Sequence, residues 1–210
     1  KPLRLALLHA AQATRWHLLL AMLGLLLLIP LIPVRALWEP EELRYAEIVR
    51  EMISTGEWFL LHINGVPYPD KPPLFYWSIA FLATLSGHLN TWTMRLPAVL
   101  GGVGSAVLTF EVGRRLLGKR TGVLAGLLLL AMPFFMWSSS EARMDSLFTF
   151  WILASNLAAV LFIQSECKCR RAGLLIFVFA ALALMTKGPA GLIVSLVAPV
   201  AYMLAIRQRG

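Results

Sequence analysis

Charge is scarce in this chain. Asp, Glu, Lys and Arg together make up 14% of its 210 residues, against about 25% in soluble globular domains. With 59% hydrophobic residues and a mean hydropathy of +0.73, that scarcity excludes a disordered chain and argues against an ordinary soluble domain. Acid is scarcer than base, at 11 residues against 19, for a net charge of +8. In a soluble protein this balance would point to nucleic acid. Here the Lys and Arg residues sit between long apolar runs, where the preference of cytoplasmic loops for positive charge accounts for them, and no nucleic-acid partner is expected. Cysteine is nearly absent. Cys167 and Cys169 are one residue apart, too close for a disulfide of ordinary geometry, and two thiolates make only half a zinc site. A phosphate loop is missing as well: Gly101-Gly102-Val103-Gly104 follows no strand and precedes no Lys-Ser or Lys-Thr.

What is abundant is apolar sequence in long runs, the mark of bilayer spans. The first run, residues 18–34, follows Arg15, Trp16 and His17. It is too long for a signal-peptide core and ends in a poor cleavage site, so it reads as a first transmembrane helix with Lys1, Arg4 and Arg15 in the cytoplasm. Further runs cover residues 73–89, 96–112, 123–137, 147–163, 174–185 and 192–206. Small residues in two of them (Gly101, Gly102, Gly104; Gly122, Gly126) suit close helix contacts.

Basic loops decide which runs cross. Arg114, Arg115, Lys119 and Arg120 form one, Lys168, Arg170 and Arg171 a second, and Arg207 and Arg209 a third. All lie on the cytoplasmic side, with the start of the chain, only if residues 73–89 do not span. That run opens on two prolines and carries Tyr76, Trp77, Ser78, Ser86 and His88, which predicts an interfacial or re-entrant helix. Six spans remain. They leave residues 35–95 as a large external loop, and put residues 138–146 and 186–189 on the same outer side.

The external loop is chemically distinct. Between positions 35 and 71 it holds seven acids and four bases, so it carries structure of its own. Pro40 is suited to open a helix. Glu41 and Glu42 then fall in a first turn where the dipole favours carboxylates, and Arg44 and Tyr45 share the Glu41 face. Gly56 is placed to end that helix as a left-handed cap. Asn64-Gly65 predicts a tight turn. Lys71 precedes Pro72-Pro73 and is held extended, directly before the next helix. A lysine beside free helix N–H groups makes an anion site, here for a phosphate at the membrane surface. Asp145 precedes a span and Lys187 ends another, before Gly188-Pro189. Singly, each has a plainer reading: dipole complement, interfacial anchor or helix cap. Together, the topology brings two carboxylate sites and two lysines to one membrane face, able to bind an anionic lipid headgroup and stabilise charge during group transfer.

The order of segments is also distinctive: Trp38 to Ile48, Asn64 to Tyr68, Asp70 to Trp77, Arg95-Leu96-Pro97 and Thr186 to Pro189. In this the chain resembles the N-terminal half of a bacterial membrane glycosyltransferase of the dolichyl-phosphate-mannose–protein mannosyltransferase type. It is especially similar to the group that transfers 4-amino-4-deoxy-L-arabinose to lipid A. The resemblance implies an all-α, polytopic C-type glycosyltransferase bundle with interfacial helices in its first external loop. It implies transfer of a sugar from a polyprenyl-phosphate donor to lipid A, a protein or a glycolipid acceptor, at the periplasmic face of the inner membrane among membrane lipids. It assigns Glu41 and Asp145 as catalytic, and Lys71, Arg44, Tyr45, Tyr68, Lys187 and Glu42 as substrate-binding. It names no cofactor; the sequence leaves a divalent metal open without indicating one.

Two departures stand out. Family members usually have Asp-Glu where this chain has Glu41-Glu42. The extra methylene moves the carboxylate, and a misplacement near ~1 Å can cost about 10²-fold in rate. Full members are also longer, with more spans and usually a soluble C-terminal domain. The competing reading is a transporter or flippase fragment that binds anionic headgroups without chemistry. Such proteins place charge near the midplane within inverted repeats, whereas here charge pools at one face and no repeat is evident.

Overall fold

The computed structural model describes residues 2–34, 36–37 and 40–207, with side chains for residues 13–34, 36–37 and 40–204. Lys1, Arg35, Trp38, Glu39 and Arg209, which enter the sequence reading, lie outside the described residues, as do the side chains of Arg4 and Arg207. Among the described residues the chain is helical, apart from one two-stranded hairpin.

Helix α1 (Pro2–Leu28) continues into a 3₁₀ turn, Ile29–Leu31. Pro30, which has no N–H to donate, enforces the change. Helix α2 (Glu41–Thr55) opens behind Pro40 and stops at Gly56, whose φ of 75° is the left-handed cap expected there. Strands β1 (His62–Ile63) and β2 (Val66–Pro67) pair antiparallel around Asn64-Gly65. Both turn residues have positive φ, 53° and 75°, as a two-residue hairpin turn needs. Helix α3 (Leu74–Ser86) has 13 residues and is roughly 20 Å long, short of a ~30 Å hydrocarbon core. It packs on α2 and α4, in keeping with a helix that does not span.

Helix α4 (Thr91–Leu117) is the central post, touching α1, α3, α5, α6 and α7. It extends beyond the expected run because Asn90 caps it. The Asn90 carboxamide oxygen accepts from Trp92 and Thr93 N–H at 3.0 and 3.1 Å, and Thr93 Oγ1 accepts from Asn90 N–H at 3.0 Å. Glycines of α4 and of the helix that follows it serve the predicted close contacts. A Cβ on Gly101 would stand 2.7 Å from the Leu147 backbone nitrogen, and one on Gly122 would stand 2.5 Å from the Phe110 carbonyl oxygen.

The run over residues 123–137 is not one straight helix. Helices α5 (Lys119–Ala131) and α6 (Pro133–Ser140) meet at a 65° bend. Pro133 pushes Met132 into extended geometry (ψ 119°) and cannot continue the hydrogen-bond ladder. Helix α7 (Met144–Gln164), α8 (Arg170–Lys187) and α9 (Pro189–Arg207) stack in sequence, with Gly188 at φ 83° between the last two. By length and composition, α1 with its 3₁₀ extension, α4 and α7 can each cross a membrane, and the bent α5–α6 pair is a fourth candidate.

A buried ion pair joins these parts. Arg95 Nε and Nη2 donate to the two Glu42 carboxylate oxygens at 2.9 and 2.7 Å. Arg95 also donates to the Ile32 carbonyl at 2.7 Å and to the Ala36 carbonyl at 3.0 Å. Glu42 in turn accepts from the Ala142 N–H at 2.6 Å. Arg95 is 0% and Glu42 1% exposed. One pair therefore ties the end of α1, the first turn of α2, α4 and the α6–α7 turn.

Replacing Arg95 by Ala strands the Glu42 carboxylate without its counter-ion. We expect about 3–5 kcal/mol of destabilisation, seen as loss of the monodisperse protein in detergent or a large fall in Tm. Gly101→Val should cost at least about 1–3 kcal/mol by overpacking α4 against α7, in the same thermal assay.

Candidate functional site

The first turn of α2 presents its residues on two faces. Glu41 is half-buried and accepts a hydrogen bond from the Tyr45 hydroxyl at 3.1 Å. Tyr45 is 4% exposed, and its ring meets Tyr76 and Phe75 edge-on at 5.2 and 6.0 Å. Glu42 points the other way. Expected among the substrate-binding residues, it is instead enclosed with Arg95, and this burial makes it a structural strut.

The hairpin brings Tyr68 to the same place. The Glu51 carboxylate, nearly buried, accepts from Gly65 N–H at 3.2 Å and fastens the turn to α2. Tyr68 N–H donates to the Leu61 carbonyl at 2.7 Å. The Tyr68 side chain then hydrogen-bonds Arg44, and this bond is the main reason the guanidinium holds its proton even more firmly than usual. Burial, and then the Glu41 charge beside it, push the Tyr45 phenol well above the ordinary tyrosine range. Tyr45 thus stays a donor and Glu41 the acceptor. Burial likewise raises Tyr76, whose hydroxyl finds no partner among the described residues.

Lys71 is half-buried and lies immediately before Pro72, Pro73 and α3. Among the described residues it has no hydrogen bond or ion pair, and the N-terminus of α3 has no side-chain cap. The first turn of α3 supplies Phe75 and Tyr76, the rings packed against Tyr45. The start of α3 and the start of α2 are therefore neighbours.

A second group lies at the α6–α7 turn. Asp145, in the first turn of α7, pairs with Lys187 at the end of α8 and with Arg143 Nε at 3.3 Å. Phe134, Phe135, Phe148, Asp145 and Lys187 line a cavity of about 270 Å³. Arg143, which the sequence does not single out, belongs to this second group. Its guanidinium stands over the Trp137 ring at 4.9 Å, lies 4.0 Å from Glu141, and contributes to the electrostatic environment of Tyr45. The available signal was alternation over two positions: Glu141 and Arg143 have extended backbones, so these two tend to one side of the segment. Among the described residues no three His, Cys, Asp or Glu side chains converge as a metal site.

The model of the family described as dolichyl-phosphate-mannose-protein mannosyltransferase matches residues 70–209. The chain belongs to this family. Relatives within reach of the mannosyltransferase family include the undecaprenyl phosphate-alpha-4-amino-4-deoxy-L-arabinose arabinosyl transferase of Edwardsiella ictaluri, 36% identical over 196 residues, covering 92% of this chain and 35% of that protein. The corresponding transferase 1 of Pseudomonas fluorescens is 36% identical over 181 residues, covering 83% and 32%. The crystal structure of ArnT from Cupriavidus metallidurans bound to undecaprenyl phosphate superposes with a TM-score of 0.79 at 26% identity, over 92% of this chain and 36% of that one. The chain thus spans about a third of the length of the curated relatives it matches.

The raised phenols of Tyr45 and Tyr76 set a pH dependence. A folded-state value above the unfolded value near ~10 contributes stability that is complete below pH ~10 and is lost as pH rises through the folded value. Tm should therefore fall with rising alkalinity above that point. Tyr45→Phe should blunt the fall and remove one of the late-titrating phenols in absorbance at high pH.

Proposed function

We propose that the complete protein transfers a glycosyl group from a polyprenyl-phosphate-linked donor to an acceptor at the periplasmic face of the inner membrane, with lipid A the first acceptor to test and protein the second. Membership of the mannosyltransferase family and the names of the arabinosyl transferase relatives support the donor class. The observation that carries the reading is local. Among the described residues Lys71 has no partner beside the start of α3, which carries no side-chain cap, and the first turn of that helix packs on the tyrosine that holds Glu41.

In this reading the chemistry is a single displacement. An acceptor oxygen forms a bond to the anomeric carbon as the bond from that carbon to the carrier phosphate breaks. The polyprenyl phosphate leaves with the electron pair, and Lys71 with the α3 amides stabilises its charge. Glu41 takes the proton of a hydroxyl acceptor. With a phosphate acceptor, already anionic, it only orients. Arg44 and Tyr68, bonded to each other, and Tyr45 hold the Glu41 side of the site. Asp145, Lys187 and Arg143 form the facing wall.

The proposed topology has six spans, residues 18–34, 96–112, 123–137, 147–163, 174–185 and 192–206, with the N-terminus and the basic loops in the cytoplasm. The length and apolarity of α1, α4, α7 and the bent α5–α6 pair support it, as do the basic residues of the α4–α5 and α7–α8 connections.

Lys71→Ala in the full-length enzyme should lower transfer from a labelled polyprenyl-phosphate sugar at least about 10²-fold; wild-type turnover would defeat the assignment. Glu41→Gln should be nearly silent with a phosphate acceptor and strongly impaired with a hydroxyl. Cys167 and Cys169, both exposed, should resist an impermeant maleimide in intact spheroplasts, while Asn64→Cys in a variant lacking both native cysteines should react. Labelling in the reverse pattern would invert the topology.

A further inference from the structure

The end of the bundle away from Glu41 carries a second arrangement of charge. Arg15 lies 17 residues before Ile32, roughly 25 Å along α1 from the Arg95 pair. There Arg15, Trp16, Leu19 and Lys119 enclose a cavity of about 300 Å³ between α1 and the start of α5. The Lys119 ammonium stands over the Trp16 ring at 5.8 Å. Trp16 is itself packed against the Leu20, Phe110 and Leu130 cluster, so it forms a fixed floor. Helix α5 begins at Lys119 with no side-chain cap, which adds the positive end of a helix dipole to the two cationic side chains. Among the described residues the acids at this end are engaged, Glu111 by His17, Arg114 and Arg115 and Glu166 by Lys168. Arg15, Arg114, Arg115, Lys119 and Arg120 leave the region strongly positive.

Leu19 lines this cavity and also the next one. From Leu19 an apolar groove of about 600 Å³ runs along α1 past Met22, Leu23, Leu26 and Ile29 to Pro30. Leu19, Met22 and Leu26 are 42%, 65% and 71% exposed along it. Eleven residues of helix cover roughly 16 Å, about half of a ~30 Å hydrocarbon core, which is the depth of one leaflet. A basic, aromatic-floored cavity that opens into an apolar trough one leaflet deep matches a lipid with an anionic headgroup.

We propose that this is a binding site for an anionic phospholipid, with its phosphate between Arg15 and Lys119 and one acyl chain laid in the α1 groove. Basic pockets between membrane helices recognise such headgroups by charge, and an aromatic ring at headgroup depth fits the interface. The lipid would pin the N-terminal half of α1 to α5 from outside, on the side of the bundle remote from the transfer chemistry. A soluble anion has no use for the groove, and a zwitterionic lipid has no net charge to offer Arg15 and Lys119.

The test uses the full-length protein in non-ionic detergent, where sidedness and catalysis play no part. Dioleoyl phosphatidylglycerol should raise Tm by about 3 °C or more over dioleoyl phosphatidylcholine, by mass action on the folded state. Inorganic phosphate should not reproduce the rise. Arg15→Gln with Lys119→Gln should remove most of the difference, and Leu26→Trp, which fills the groove and keeps both charges, should reduce it. Should the double variant fail to fold, wild-type protein labelled with a diazirine-bearing phosphatidylglycerol decides the matter. Adducts on the tryptic peptide of residues 16–35, displaced by phosphatidylglycerol and not by phosphatidylcholine, support the site. Equal stabilisation by the two lipids, an equal effect of phosphate, or no adduct on that peptide, as when another part of the full-length protein fills the groove, overturns it.

Discussion

A bidentate ion pair enclosed in a membrane protein is held by geometry as much as by charge. Taking Glu42 and Arg95 out of water costs several kcal/mol per ion by the usual accounting, and their attraction offsets this only when the remaining donors and acceptors are also satisfied. Here they are. The guanidinium reaches the Ile32 and Ala36 carbonyls, and the carboxylate reaches the Ala142 amide. These groups belong to four stretches of chain, which also meet in the apolar cluster around Tyr45, Ile48, Met94, Ala98 and Ala142. The carbonyl at the end of α1 and the amide before α7 would otherwise be orphaned where helices end. The pair therefore decides where α2 sits against the bundle, and so where Glu41, one residue away, can be.

Adjacent glutamates divide two tasks. Along α2 successive side chains diverge by about 100°, so Glu42 turns into the bundle while Glu41 stays half-exposed beside Tyr45. The usual Asp-to-Glu difference at the first position has a local counterpart in the Tyr45 hydroxyl, which holds the longer side chain by a direct hydrogen bond. The Glu41 end of the molecule gathers its charge from two helix ends and two connections: the start of α2, the segment before α3, the α6–α7 turn and the end of α8. Arg143 stands between Glu141 and Asp145 within the α6–α7 turn.

Much of this was readable beforehand, since it rests on local rules. Gly56 as a left-handed stop, Asn64-Gly65 as a hairpin turn, and a short α3 behind Pro72-Pro73 each follow from one or two residues' backbone preferences. The glycines of α4 and α5 signalled close packing, because in lipid small residues are what let backbones approach. The bend at Met132 was also encoded, in Pro133. Hydropathy does not register it, because the apolar composition on both sides continues unbroken and reports burial in lipid, not the direction of the helix axis.

By itself, then, the sequence determined a chain of apolar helices with an acidic, structured loop. It also nominated residues of that loop for chemistry, because periodicity, caps and charge bias act over a few residues at a time. The tertiary structure alone decided that Glu42 is a strut, that Asp145 meets Lys187, and that Arg15 and Lys119 share one cavity. Those roles depend on pairings across 53, 42 and 104 positions of sequence, from Glu42 to Arg95, from Asp145 to Lys187 and from Arg15 to Lys119. No local preference carries information over such separations; only the packing of the helices brings the partners together.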